Sequence, residues 1–164
     1  MAMNSLFCRP SAGAKMPEDV RLAEAAFDAG AEINAFARAH SQAGGIVSFT
    51  GQVRGGDDVE ALELRHYAPL TLPGMETLAG EVLGRWNLAG LLIIHRSGMM
   101  LPGEPIVLVA AAARHRRDAF AAADFAMDHL KSESWFWKRE LRAGVWAWVE
   151  PRAQDFADLA RWGS

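Results

Sequence analysis

The sequence predicts an α+β fold, a mixed and mostly antiparallel sheet packed by helices. Three observations lead there: short runs of alternating apolar residues, separate segments with apolar residues at helical spacing, and an order that mixes hairpin signals with strand-to-helix crossovers. The chain has 164 residues, enough for one domain whose core needs neither metal nor disulfide.

Taken in order, residues 20–27 read as an edge strand and residues 31–39, with Ile33, Phe36 and Ala37 at helical spacing, as a short amphipathic helix. Gly44 and Gly45 close that unit. The stretch 45–51 alternates large apolar with small residues, and 59–67 repeats the alternation imperfectly, so the two read as a hairpin joined by a mobile loop at 54–58. Pro69 and Pro73 mark a turn before a helix over 74–86, which carries Met75, Leu78, Val82 and Trp86 on one stripe. Residues 91–95 and 106–113 read as two strands about a turn at 101–104. The strongest helix covers 118–131, with Phe120, Ala123, Met127 and Leu130 assigned to its buried face. A final strand over 146–149 and a helix over 153–162 complete the reading, while residues 1–18 read as a flexible tail and 19–164 as the domain.

The net charge of -3 argues against bulk attraction to nucleic acid. No apolar run reaches the roughly 20 residues of a membrane span, and the first residues lack the apolar core of a secretory signal. Cys8 is the only cysteine, so no internal disulfide can form and any sulfur chemistry must import its sulfur. No histidine pair has zincin spacing and no glycine pattern matches a phosphate loop or dinucleotide fingerprint, so no bound metal or nucleotide cofactor is expected.

Three clusters are candidates for chemistry. Arg114, His115, Arg116 and Arg117 stand where a strand gives way to a helix, and cations there oppose the helix dipole by a few tenths to about 1 kcal/mol each. An anion held by helix N–H groups and arginine forks would account for them; pairing with Asp118 or simple hydration would also do so. Lys131 and Lys138 lie seven apart, on one side of an unbroken helix or brought together by a bend at the bulky Trp135, Phe136 and Trp137. Either arrangement allows an amine nucleophile or proton carrier, although two such lysines are more often plain solvated charges. Gln52, Val53 and Arg54 end a strand at a glycine-rich loop from which Arg54 can reach a ligand. His66 and His95, at strand ends, read as hydrogen-bonded structural histidines. Of Trp146 and Trp148, the strand reading turns one inward and leaves the other for a subunit contact.

The blocks 45–54, 62–67, 94–96, His115-Arg116, Met127-Asp128, Leu130-Lys131 and 136–140 resemble, in order and spacing, those of the molybdopterin synthase large-subunit family. The resemblance covers residues from about 33 to 162. It implies an α/β hammerhead fold and a cytoplasmic sulfurtransferase acting on a phosphorylated pterin. A homodimer would sit within a heterotetramer, with a small ubiquitin-like partner whose Gly-Gly tail carries the sulfur as a thiocarboxylate, so no cofactor need be bound. Carried over by position, Lys131 would be the central catalytic lysine and Lys138 the second. Gln52, Val53, Arg54, His115, Arg116, Arg139 and Glu140 would contact substrate or tail, with His115 and Arg116 reaching the pocket of the neighbouring subunit. Phe49, Met127 and Arg152 would form its wall. Trp135 departs from the pattern, standing where the family usually has proline, and the segment 68–74 is longer than usual. The competing reading keeps the anion site and the partner but performs no chemistry.

Overall fold

The computed structural model describes residues 18–56, 58–132 and 135–163. Most of the expected tail lies outside the described residues, although Glu18 already belongs to the first strand. The α+β reading holds, and the strands divide into two four-stranded sheets.

The first sheet contains β1 (Glu18–Ala23), β2 (Gly45–Gln52), β4 (Leu88–Arg96) and β6 (Pro105–Ala113), in the order β1-β4-β6-β2. β1 runs parallel to β4, and the remaining pairs are antiparallel. Alternation on β4 and β6 gives each face its own core. Leu91, Ile93, Val107, Val109 and Ala111 meet α2 (Ala68–Arg85) and α3 (Arg116–Ser132) on one side; Leu92, Ile94, Leu108, Ala110 and Ala112 meet Phe36 of α1 (Ala29–Ala39) on the other. A sheet covered on both faces needs continuous apolar runs, which is why these two strands carry no polar face.

The second sheet, β5 (Gly98–Met100), β3 (Val59–His66), β7 (Phe136–Arg142) and β8 (Val145–Val149), is antiparallel throughout. Its inner face adds Leu62, Leu64 and Met100 to a small core shared with Val53. β7 and β8 are joined at Ala143 and Gly144, whose φ values of 47° and 73° suit the tight turn of a twisted hairpin. A last helix, α4 (Ala153–Ala160), packs against α3.

Three expectations are corrected. β2 and β3 do not form a hairpin: β2 pairs with β6 and β3 with β5 and β7, so the loop between them crosses from one sheet to the other. It is pinned midway, where Val53 N–H donates to Glu104 O at 2.9 Å and Gly103 N–H donates to Val53 O at 2.8 Å. Pro69 and Pro73 are not a turn but part of α2. Proline in a first turn loses no intrahelical bond, and Pro73 one turn later is accommodated, its carbonyl accepting from Thr77 Oγ1 at 2.8 Å. Segment 136–142, assigned no element from sequence, is strand β7.

Candidate functional site

A cleft of about 910 Å³ runs along α3 between β2 and the α4 segment. Of the expected site residues and the basic cluster beside them, it gathers Phe49, Arg116, Arg117, Met127 and Lys131, whereas Arg54, His115, Lys138, Arg139 and Glu140 do not line it. Its two charged ends are the two ends of one helix. At the N-terminal end, Gly44 and Gly45 let β2 pass close beneath: a Cβ on Gly44 would lie 2.2 Å from Arg114 O, and one on Gly45 would lie 3.6 Å from Arg116 Cα. These two glycines, read from sequence only as a break, set the seat of the anion-site candidate.

Arg114, His115, Arg116 and Arg117 are all exposed there, and among the described residues none of the three arginines forms an ion pair. Pairing with Asp118 therefore does not account for them. Asp118 N–H instead bonds His115 O at 3.2 Å. At the far end Lys131 is exposed in the last turn of α3, also without an ion pair among the described residues. A cation in a last helical turn complements the dipole, so its placement carries no local cost.

Phe120 corrects the helix reading. It is 62% exposed and lines the cleft, while Ala119, Ala122, Phe125 and Ala126 take the buried face with Ala123, Met127 and Leu130. Alanine at most buried positions lets α3 lie close to the sheet, leaving the large Phe120 to the open side. Sequence reasoning also gave no role to Asp124, Asp128 or Trp162. Arg161 bonds Asp124 at 2.8 Å and Asp128 at 2.7 Å, and Trp162 Nε1 donates to Asp128 at 2.6 Å. Ser132 Oγ donates to Asp155 O at 2.8 Å, so the α4 segment is tied along this wall. Arg152 stands just before α4, where its N–H donates to the Asp155 carboxylate at 3.2 Å, and it is absent from the cleft lining.

Lys138 lies on a different element from Lys131: α3 ends at Ser132 and the chain is extended from Phe136, so the two lysines do not share one long helix, and Lys138 is not among the residues that line the cleft. Lys138 Nζ pairs with Glu140 Oε1 at 3.1 Å, and Glu140 also accepts from Arg142 at 2.7 Å. Burial raises the Glu140 pKa, but the hydrogen bonds from Arg142 and Lys138 outweigh it and hold the group below the ordinary carboxylate value. Arg139 alternates to the opposite face. There it hydrogen-bonds Glu63, which keeps that carboxyl low despite its desolvation, and lies 4.6 Å from the Trp146 ring centroid and 5.7 Å from that of Trp148. Both tryptophans thus share one face, as residues two apart on a strand must, and the expectation that only one would turn inward is corrected.

Gln52 and Arg54 are exposed on either side of Val53, whose side chain is buried in the small core. What Val53 offers is the fixed backbone that presents Arg54. His95 is buried and stacked on Phe136 at 4.0 Å, with Nδ1 2.9 Å from Arg96 O, a structural role as expected. His66 lies near the same ring at 6.4 Å, but its buried Nδ1 has no hydrogen-bond partner among the described residues. Also among the described residues, no group of three His, Cys, Asp or Glu side chains is placed to hold a metal ion, and no helix is long and apolar enough to cross a membrane.

The comparisons with known proteins converge. A protein of Cereibacter sphaeroides called molybdopterin synthase catalytic subunit is 47% identical over 137 residues, covering 83% of this chain and 94% of its own length. The solved structure of a molybdopterin biosynthesis MoaE protein from Burkholderia ambifaria aligns with a TM-score of 0.74 at 42% identity, covering 88% and 97% of the two chains. The same fold occurs at 19% identity and TM-score 0.72 in a Helicobacter pylori structure described as a complex of subunits 1 and 2 of molybdopterin-converting factor, covering 81% of this chain and 91% of that one. With residues 22–133 also matched by the family described as MoaE protein, this chain belongs to the MoaE family.

Proposed function

We propose that this chain is the catalytic subunit of a molybdopterin synthase: it moves two sulfurs, one at a time, from thiocarboxylated small subunits to cyclic pyranopterin monophosphate, making the dithiolene of molybdopterin. The relative from Cereibacter sphaeroides, 47% identical, carries that enzyme's name, and the cleft with its unpaired cations suits the substrate's charge. In each transfer a C–S bond forms at a pterin side-chain carbon as the C–O bond at that carbon breaks, its oxygen leaving with the phosphate or as water. The C–S bond to the carrier breaks, and water supplies the oxygen that leaves the carrier as a carboxylate. Lys131, unpaired among the described residues and at the cleft, is the amine placed to act on these anionic intermediates. Lys138 is the second cation, orienting substrate or tail. The sulfur comes on the partner, so no resident cofactor is required. The enzyme's place is the cytoplasm.

The length of α3 supports a site shared between two copies. Arg116 and Lys131 are fifteen residues apart on one helix, roughly 22 Å at 1.5 Å per residue. One small phosphorylated pterin cannot touch both ends. In a homodimer within the heterotetramer, His115 and Arg116 serve the site of the neighbouring subunit, while Arg54, Lys131 and Lys138 serve their own. The Gly-Gly tail of the ubiquitin-like partner enters between them, with Phe49 and Met127 as walls.

The test is product formation from cyclic pyranopterin monophosphate and thiocarboxylated small subunit. Lys131→Ala abolishes turnover while folding and partner binding remain. Full turnover by that variant refutes the catalytic assignment, and tight partner binding without turnover by the wild type favours a non-catalytic module. Mixing Lys131→Ala with Arg116→Ala restores activity to about a quarter of wild type under random subunit exchange, because half the dimers are mixed and each has one intact site. No recovery refutes the shared pocket.

A further inference from the structure

Trp135 stands at the turn that leads into β7, between the two lysines, and its surroundings are built to receive it. Its indole lies across α2 where Gly74 presents no side chain: a Cβ at Gly74 would sit 2.6 Å from both Cε2 and Nε1 of the indole and 2.9 Å from Cζ2. One turn earlier on the same helix, the fully buried Thr71 places Oγ1 3.1 Å from Trp135 O and 3.1 Å from Tyr67 O, so a single hydroxyl proton is shared between the two carbonyls. The indole also packs against the main core. Three residues further on stands Lys138, and the intervening Phe136 is stacked on His95. The chain is therefore gripped twice just before the lysine. A proline would stiffen such a turn through its own φ; here side-chain packing across the fold does so.

We propose that Trp135, keyed into the Gly74 slot and held by Thr71, is a positioning residue that sets Lys138 relative to Lys131 for sulfur transfer. The inference rests on the two-lysine reading above. It also assigns a purpose to Gly74 and Thr71, neither of which lines the cleft.

The test uses the full chain with thiocarboxylated small subunit, measuring kcat, KM for the pterin and partner affinity for each variant. Trp135→Ala lowers kcat by about tenfold or more, the scale of a misplaced catalytic group, while KM and partner affinity stay within about twofold. Gly74→Ala, which evicts the indole, gives a similar loss but adds nothing further in the Trp135→Ala background. Trp135→Phe, which refills part of the slot, recovers part of kcat and serves as the folded control if Trp135→Ala proves unstable. A folded Trp135→Ala or Trp135→Phe series with unchanged kcat, or fully additive losses with Gly74→Ala, overturns the proposal. Lys131→Ala and Lys138→Ala, run in parallel, separate the two failures. If both lysine variants keep wild-type turnover, the two-lysine reading falls and the inference with it; if they collapse while the Trp135 variants do not, only the positioning inference falls.

Discussion

Lowering the pH from 7.5 to 5.0 should weaken this fold through His95. The imidazole is 7% exposed and stacked flat on Phe136, and burial drives its pKa down from the usual 6.5 to about 4 against the opposing pull of its bond to Arg96 O. The folded chain thus binds this proton less readily than the unfolded chain. The stabilisation from a neutral His95 is complete above about pH 6.5 and is lost as pH falls toward 4. A shift of this size corresponds to about 3 kcal/mol in full, of which about 2 kcal/mol disappears between pH 7.5 and 5.0. Glu32, Glu63 and Glu140, held below the ordinary carboxylate value of 4.5, act with the same sign but chiefly at lower pH, so the chosen window is dominated by the histidine. The assay is denaturant unfolding of the wild type and His95→Asn at both pH values and one protein concentration, because dimerisation would couple stability to concentration. Asparagine keeps a donor for Arg96 O without a titrating group. The variant is less stable at pH 7.5, and the gap narrows by about 2 kcal/mol at pH 5.0. A gap unchanged by pH refutes a neutral, desolvated imidazole.

Two further outcomes test the packing around the site. Gly90→Ala puts a Cβ 2.1 Å from His40 Nε2, and the imidazole cannot move aside without giving up its 4.3 Å ring contact with Phe36 and its bond to Phe36 O. The expected loss is about 1–3 kcal/mol in denaturant unfolding, most of it absent when His40→Ala is made as well. Arg161→Ala removes exposed ion pairs to Asp124 and Asp128, so global stability changes little. Amide exchange in α4 nevertheless speeds up markedly, since those bonds tie the helix to the cleft wall; unchanged exchange would show that Ser132 and Trp162 suffice.

Where residues lie on a single buried face, sequence and structure agree. α1 and most of α3 follow from apolar spacing because one environment selects each stripe, and β4 and β6, covered on both faces, follow from their continuous apolar runs. Phe120 deceived because large apolar residues near a functional cleft need not be buried, and alanine, which leaves little mark in a periodicity, fills the helix–sheet contact. The false hairpin between β2 and β3 had sound local signals. Local pattern shows that two strands adjoin in sequence, but not that a chain passes from one sheet to another, which here depends on Val53 bonding to Gly103 and Glu104 some fifty residues away. Of the site, the family blocks supplied the residue names and the expected helix over 118–131 already set Arg116 and Lys131 at its two ends, yet only the fold shows the cleft that runs along it between β2 and the α4 segment.

β7 explains why its segment was hardest to read. A half-buried strand usually declares itself by alternating apolar and polar residues, but here both faces carry charge for different reasons. Lys138 and Glu140 alternate to one face, where their ion pair leaves Lys138 partly open. Arg139 alternates to the other, between Glu63 and the tryptophans of β8. Only Phe136, at the start, is packed as a strand residue would be, against His95 and the small core. The block Lys138-Arg139-Glu140 is therefore not a single cationic patch. It divides into a partly open lysine paired with Glu140 and an arginine held between Glu63 and the tryptophans, and the division follows from the two-residue repeat alone. Replacing Arg139 should then act through the register of β7 rather than through direct loss of substrate charge.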